Sequence, residues 1–251
     1  MFLSQQGETP YDLKFRLFGT PVRVHPFFWL VAAIFGWHNV QLGLHYLLLW
    51  VACVFFSILL HEFGHVWMGR VFGVRSHIVL QGMCGLAIPD HEPYNRWRRV
   101  AISLAGPGIQ LAFCVALFAL IWVLYRTVIR DLPEFVEKGV GFLLWINIVW
   151  PLFNLLPVWP LDGGKVAREL FVWRAPYNGV RNSLVLSIAT CVVLVVHSAT
   201  VAMHNPLFPW LPFGSWYTAM LFGLLGYESF QLLQAVNANR GGWNNPNSQW
   251  P

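Results

Sequence analysis

Apolar residues in this chain gather in six stretches separated by short polar or charged gaps. Residues 44–68, 100–125 and 139–157 each offer about the 20 mostly apolar residues that a helix needs to cross a bilayer. Residues 184–201 come close, 26–40 are short and interrupted, and 215–233 carry Glu228 and Gln231. Two gaps have a different rhythm. Leu13, Phe15 and Leu17 alternate with polar or charged positions before Gly19, and residues 74–80 are rich in β-formers before Gly82 and Gly85. The pattern predicts an all-α polytopic membrane protein of about six transmembrane helices. Short membrane-associated β-strands are expected near the N-terminus and after the second span. An open strand edge is untenable in lipid unless protein covers it or a wet cavity faces it. These strands should therefore pair with each other near the cytoplasmic surface, or with a chain that arrives.

Composition points the same way. Of 251 residues, 57% are hydrophobic and only 11% charged, against roughly 25% charge in soluble domains. Mean hydropathy is +0.54. The formal charge of +5 invites a nucleic-acid reading, but the lysines and arginines are placed as topology signals. With the N-terminus in the cytoplasm and six spans, 13 of the 16 fall inside, and only Arg126, Arg130 and Lys138 fall outside. Cytoplasmic loops carry that excess, so lipid is the partner and nucleic acid is not. Both termini are then cytoplasmic. The four cysteines form no CxxC pair, which argues against a disulfide framework or a thiolate metal site. The first 24 residues lack the apolar core of a cleavable signal peptide. The expected organisation is a cytoplasmic segment with a strand at 1–24, a six-span membrane domain at 25–235 and a disordered tail at 236–251.

The chemistry is concentrated in His61-Glu62-Phe63-Gly64-His65, late in the second span. Residues four apart share a helix face, so both imidazoles can reach one ion. Glu62, beside the first of them, can lie near that ion without ligating it and accept a proton from water there. HExxH is the spacing of zinc hydrolases. Short motifs also arise by chance, but ionisable groups inside a spanning helix are costly and functional by default.

A catalytic zinc takes three protein ligands and keeps one position open. Acidic residues in or beside the spans are few: Glu62, Asp162 and Glu228. Asp162 follows Asn154-Leu-Leu-Pro-Val-Trp-Pro-Leu, where Pro157 and Pro160 break the fourth span. Broken helices are tolerated at membrane depth where they line a cavity or are buried in protein. Asp162 could simply cap the following helix; the need for a third ligand favours coordination. Both motifs run toward the cytoplasm, and His61 lies roughly 10 Å from the inner end of its helix at about 1.5 Å per residue. Asp162 comes to a similar depth on the same side.

HEFGH at 61–65, with Asn154-Leu-Leu-Pro157 followed by Leu161-Asp162-Gly163-Gly164, resembles the site-2 proteases, the intramembrane zinc metalloproteases. Residues 17–25 are similar to the N-terminal part of the subgroup without a PDZ domain that includes the bacterial sporulation protease. The resemblance, covering about residues 13–172, implies one Zn2+ held by His61, His65 and Asp162, with Glu62 as catalytic acid/base. It implies that Asn154 steadies the substrate carbonyl or the oxyanion. The family often has a small residue or Asn four positions after the glycine of its third-span Gly-Pro motif. This chain departs from that with Gln110 after Gly106-Pro107.

The expected activity is cleavage of a transmembrane or membrane-proximal peptide bond near the cytoplasmic side by zinc-activated water. The substrate is a single-span membrane protein, with access set by a regulatory membrane partner. A shielded helix must unwind to be cut. The strand near 74–80, through Val74, Ile78 and Leu80, would offer an edge for the extended peptide to join. Two rival readings are a membrane metal-ion transporter and a catalytically inactive membrane scaffold. The first requires ligands along the outer halves of the spans, where acidic groups are almost absent. The second would normally lack Glu62 or a ligand, and all are present. His25 reads either as an interfacial residue or as a neighbour of the site, and Glu228 either as a gate or as a snorkelling side chain.

Overall fold

The computed structural model describes residues 9–82, 84–91, 95–127, 132–208 and 214–238. Residues 239–251, most of the expected disordered tail, lie outside them. The chain forms two compact units that divide between Phe153 and Asn154.

The first unit opens with a hairpin of strands β1 (Leu13–Leu17) and β2 (Thr20–Val24). Phe18 and Gly19 make the turn with φ of 48° and 74°, the positive values that suit the twist of a two-residue hairpin. Helix α1 (Pro26–Phe35) and a 3₁₀ helix (Trp37–Leu42) lead into α2 (Leu44–Val71). Strands β3 (Ser76–Gln81) and β4 (Cys84–Pro89) complete a sheet of order β1-β2-β3-β4. The β2–β3 pair is parallel and the outer pairs antiparallel, as expected where helices cross over between β2 and β3. Helix α3 (Arg96–Thr127) and most of α4 (Glu134–Asn154) belong to the same unit.

Its core lies where the sheet meets α1 and the C-terminal half of α2. Val22, Val24, Phe28, Ile58, Phe63, Val66, Ile78 and Leu80 are buried together there. Arg70, at the end of α2, donates to the Phe18 carbonyl at 2.7 Å and to Thr20 Oγ1 at 2.6 Å, pinning the hairpin turn to the helix. Elsewhere the apolar surface faces outward: Leu48 is 62% exposed, Val115 72% and Phe118 67%. Such residues on long apolar helices suit a lipid solvent.

The second unit holds α5 (Asp162–Arg174), α6 (Gly179–Ala202) and α7 (Trp216–Ala238). Ser187 Oγ and Ser229 Oγ join α6 to α7 at 2.8 Å, and the Trp159 N–H donates to Ser187 at 2.9 Å. Val172, Val180, Leu184 and Val236 form its core.

Among the described residues four helices, α2, α3, α4 and α6, are long and apolar enough to span a bilayer, which makes this a multi-pass membrane protein. The stretch at 26–40 departs from the expectation of a full span. Helix α1 is ten residues long, about 15 Å at 1.5 Å per residue, half of what a bilayer requires. Helix α7 has the length but is diluted by polar residues such as Glu228 and Gln231.

The expected edge strand also needs correction. β3 begins at Ser76, so Val74 lies before it, its N–H donating to the Gly69 carbonyl at 2.9 Å. β3 is hydrogen-bonded on both sides, by β2 and β4. Val74, Ile78 and Leu80 are core residues with at most 2% exposure. β3 therefore has no edge to offer; among the described strands of this sheet the outer edges belong to β1 and β4.

Candidate metal centre

His61 and His65 lie on one face of α2, at the end buried against the sheet and α3. Their Nε2 atoms are 3.1 Å apart, with ring planes at 80°. Both rings are buried, as is Glu62. His65 Nδ1 lies 2.7 Å from the Ile102 carbonyl of α3. A carbonyl can only accept, so the His65 proton is on Nδ1 and the Nε2 lone pair points toward His61. His61 Nδ1 faces Gln110 Oε1 at 2.8 Å.

Gly106 shows how closely α3 approaches: a β-carbon there would collide with both imidazoles. Gly106 thus brings no side chain to the point where α3 meets the rings. On another side of Glu62, β4 makes a similar approach. A β-carbon at Gly85 would overlap the Glu62 carboxylate, so β4 passes this acid at van der Waals distance.

Asp162 belongs to the second unit. It is the first residue of α5, buried, with Lys165 Nζ 3.2 Å from Oδ1. The N-cap position is taken by Leu161, so Asp162 is not the capping residue; its carboxylate stands in the first turn, where the helix dipole favours negative charge. Gly163 and Gly164 let this turn press on the backbone of 155–159, where β-carbons would meet the carbonyls of Leu155 and Val158. Asn154 is the last residue of α4 and half-buried.

His25 caps α1, its Nδ1 accepting from the Phe27 N–H at 3.1 Å. Glu228 is half-buried on α7. Gln110, Gly106 and the closeness of β4 were not read as site features from the sequence. The available signal was Gln110 itself, a large polar residue inside an apolar helix, which is costly unless it is paired.

Residues 129–196 match Peptidase family M50. The chain is 30% identical over 178 residues to stage IV sporulation protein FB of Bacillus subtilis, covering 69% of this chain and 56% of that protein. It is 27% identical over 163 residues to a zinc metalloprotease of Methanocaldococcus jannaschii, covering 64% of this chain and 45% of that one. It thus spans about half the length of these curated relatives. The solved site-2 protease from Methanocaldococcus jannaschii shares its fold, with a TM-score of 0.57 at 18% identity over 88% of this chain and 94% of that one. The fold is that of the solved site-2 protease, and the histidine pair lies on one buried face of α2 within it. By these matches the chain is similar to the site-2 proteases of peptidase family M50.

Relatives among these are named zinc metalloproteases, and a metal ion of that kind can be tested against the residues here. The residues fit it: two buried imidazole nitrogens converge at 3.1 Å, each with its other nitrogen engaged by α3, and neutral imidazole nitrogen is a preferred zinc donor.

Proposed function

We propose that this protein cleaves a peptide bond of a single-span membrane protein, within or beside the bilayer, as a zinc metalloendopeptidase. The observation that carries this is the buried His61–Glu62–His65 face of α2, with both Nε2 atoms converging. Asp162, buried at the start of α5, supplies the third ligand. Two imidazoles and one carboxylate leave the open position that catalysis requires.

Bound zinc supplies Lewis acidity that brings the pKa of water down to about 7. The protein's own groups do the rest. Glu62 takes a proton from the attacking water as its oxygen adds to the scissile carbonyl, then returns that proton to the amine as the C–N bond breaks. Asn154 donates its side-chain amide to the carbonyl oxygen as charge develops there. The unwound substrate adds to the outer edge of β4, which runs past Glu62, instead of to β3.

The surrounding architecture is one membrane domain at 25–235, preceded by a cytoplasmic segment at 1–24. Both termini and the active site lie on the cytoplasmic side, as the lysine and arginine distribution supports. A regulatory membrane partner controls access. Metal transport fits less well: α3, one of the four long apolar helices, carries no Asp, Glu or His.

The test is Glu62→Gln in the full chain, expressed in membranes. The variant should retain zinc, lose cleavage by roughly 10²–10⁴-fold, and co-purify with uncut single-span proteins. Undiminished proteolysis by the purified variant would refute the role of Glu62.

A further inference from the structure

Resting on the reading that His61 binds the metal, we infer that Gln110 is the positioning residue that locks His61 in its metal-binding tautomer. It does so at the end of a hydrogen-bond chain whose sense is set by two backbone carbonyls. The Leu143 carbonyl of α4 can only accept, so the Asn147 atom that meets it at 2.8 Å is the amide nitrogen. That nitrogen also donates to Ser57 Oγ at 2.7 Å. Asn147 Oδ1 is thereby turned toward Gln110 and accepts from its Nε2 at 3.1 Å. The Ser57 carbonyl accepts a second bond from the same Nε2, also at 3.1 Å. With its amide hydrogens so directed, Gln110 presents Oε1 to His61 Nδ1 at 2.8 Å. An amide oxygen cannot donate, so the imidazole proton sits on Nδ1 and Nε2 keeps its lone pair.

Ser57, Gln110 and Asn147 are each 0% exposed, so turning the Gln110 amide over would set its oxygen against two buried acceptors. The alternative that this arrangement prevents is specific. His65 already points a lone pair at His61. Were the His61 proton on Nε2, it would be donated across the 3.1 Å gap, and both ligand nitrogens would be consumed in an imidazole–imidazole hydrogen bond. Gln110 therefore decides whether the pair meets a cation or shares a proton. No charged group is used, and the three residues lie on α2, α3 and α4 of the first unit.

The test is zinc affinity of the purified full chain in detergent, by chelator competition, for wild type, Gln110→Met and Gln110→Glu. Methionine keeps the bulk and removes the acceptor; glutamate keeps an oxygen toward Nδ1 and gives up both amide donors. Gln110→Met should weaken zinc roughly 10–100-fold, the usual cost of losing a partner behind a ligand. Gln110→Glu should bind as tightly as wild type or tighter, and its cobalt(II)-loaded form should keep the wild-type visible spectrum while that of Gln110→Met changes. Wild-type affinity in Gln110→Met, or equal losses in both variants, would overturn the inference. If Gln110→Met does not purify as a monodisperse protein, Asn147→Leu removes one of the two acceptors that direct the amide and should weaken zinc several-fold; no loss there overturns it equally. A wild-type chain that binds no zinc defeats the metal reading itself, whereas a zinc-loaded wild type with unchanged variants defeats only the role of Gln110.

Discussion

The HExxH face is approached by two neighbours, and they treat it differently. Helix α3 closes on it. Gly106 lies against the rings, Ile102 and Gln110 take the two Nδ1 atoms, and a neutral buried network ties α3 to α2 and α4. Strand β4 passes Glu62 just as closely at Gly85, yet it pairs only with β3 and is an outer strand of the sheet. One neighbour has hydrogen bonds committed to the histidines; the other, among the described strands, has its outer edge beside Glu62. In the proposed mechanism this contrast separates holding the metal from presenting the substrate, and the two tasks should fail separately.

The largest effect should come from the closed side. Gly106→Val drives a branched side chain into both imidazoles, and zinc measured in the purified variant should fall to background. A variant with wild-type zinc would mean that α3 does not close the site. The open side should respond in activity instead. Gly85→Ala pushes on the Glu62 carboxylate while leaving both histidines in place, and misplacing a catalytic group by about 1 Å costs roughly 10²-fold. Cleavage should drop by that order with zinc content unchanged, and parallel loss of zinc would erase the distinction.

The smallest effect concerns pH. The residues Ser57, Gln110 and Asn147 behind His61 are not ionisable, whereas the β1–β2 hairpin is anchored by a carboxylate. The Thr9 hydroxyl donates to Asp12, and Arg23 lies 3.3 Å away, together holding that carboxyl below its ordinary value of 3.8. A carboxyl depressed on folding contributes stability above its unfolded pKa and loses it as pH falls through the lower folded one. Protection factors of the β1 and β2 amides, corrected for intrinsic exchange, should therefore fall on acidification below the ordinary carboxyl value, and Asp12→Asn should flatten that dependence. An unchanged profile would remove Asp12 as the anchor.

The long apolar helices were legible because lipid imposes a simple demand, a continuous apolar run, and α2, α3, α4 and α6 meet it. Residues 26–40 satisfied the composition of a span but not its continuity, since Gly36 ends α1 after ten residues and a 3₁₀ helix follows. β2 and β4 escaped notice because Pro21, Gly85 and Pro89 look like turn residues in isolation; their pairing is made by tertiary neighbours. HEFGH announced itself through spacing on a single helix. The partners of its Nδ1 atoms come from α3, residues 102 and 110, and no local pattern reveals a contact between helices. Gln110 was visible as an anomaly, a long amide in an apolar run, without showing what it faced.

The central claim is that His61, His65 and Asp162 together hold one zinc ion that Glu62 works beside. Elemental analysis of purified wild type and Asp162→Ala, side by side, tests it most directly. The account predicts about one zinc per wild-type chain, as a single catalytic site requires, and its loss from the variant. A wild-type chain free of metal, or a variant that keeps its full complement, would contradict it.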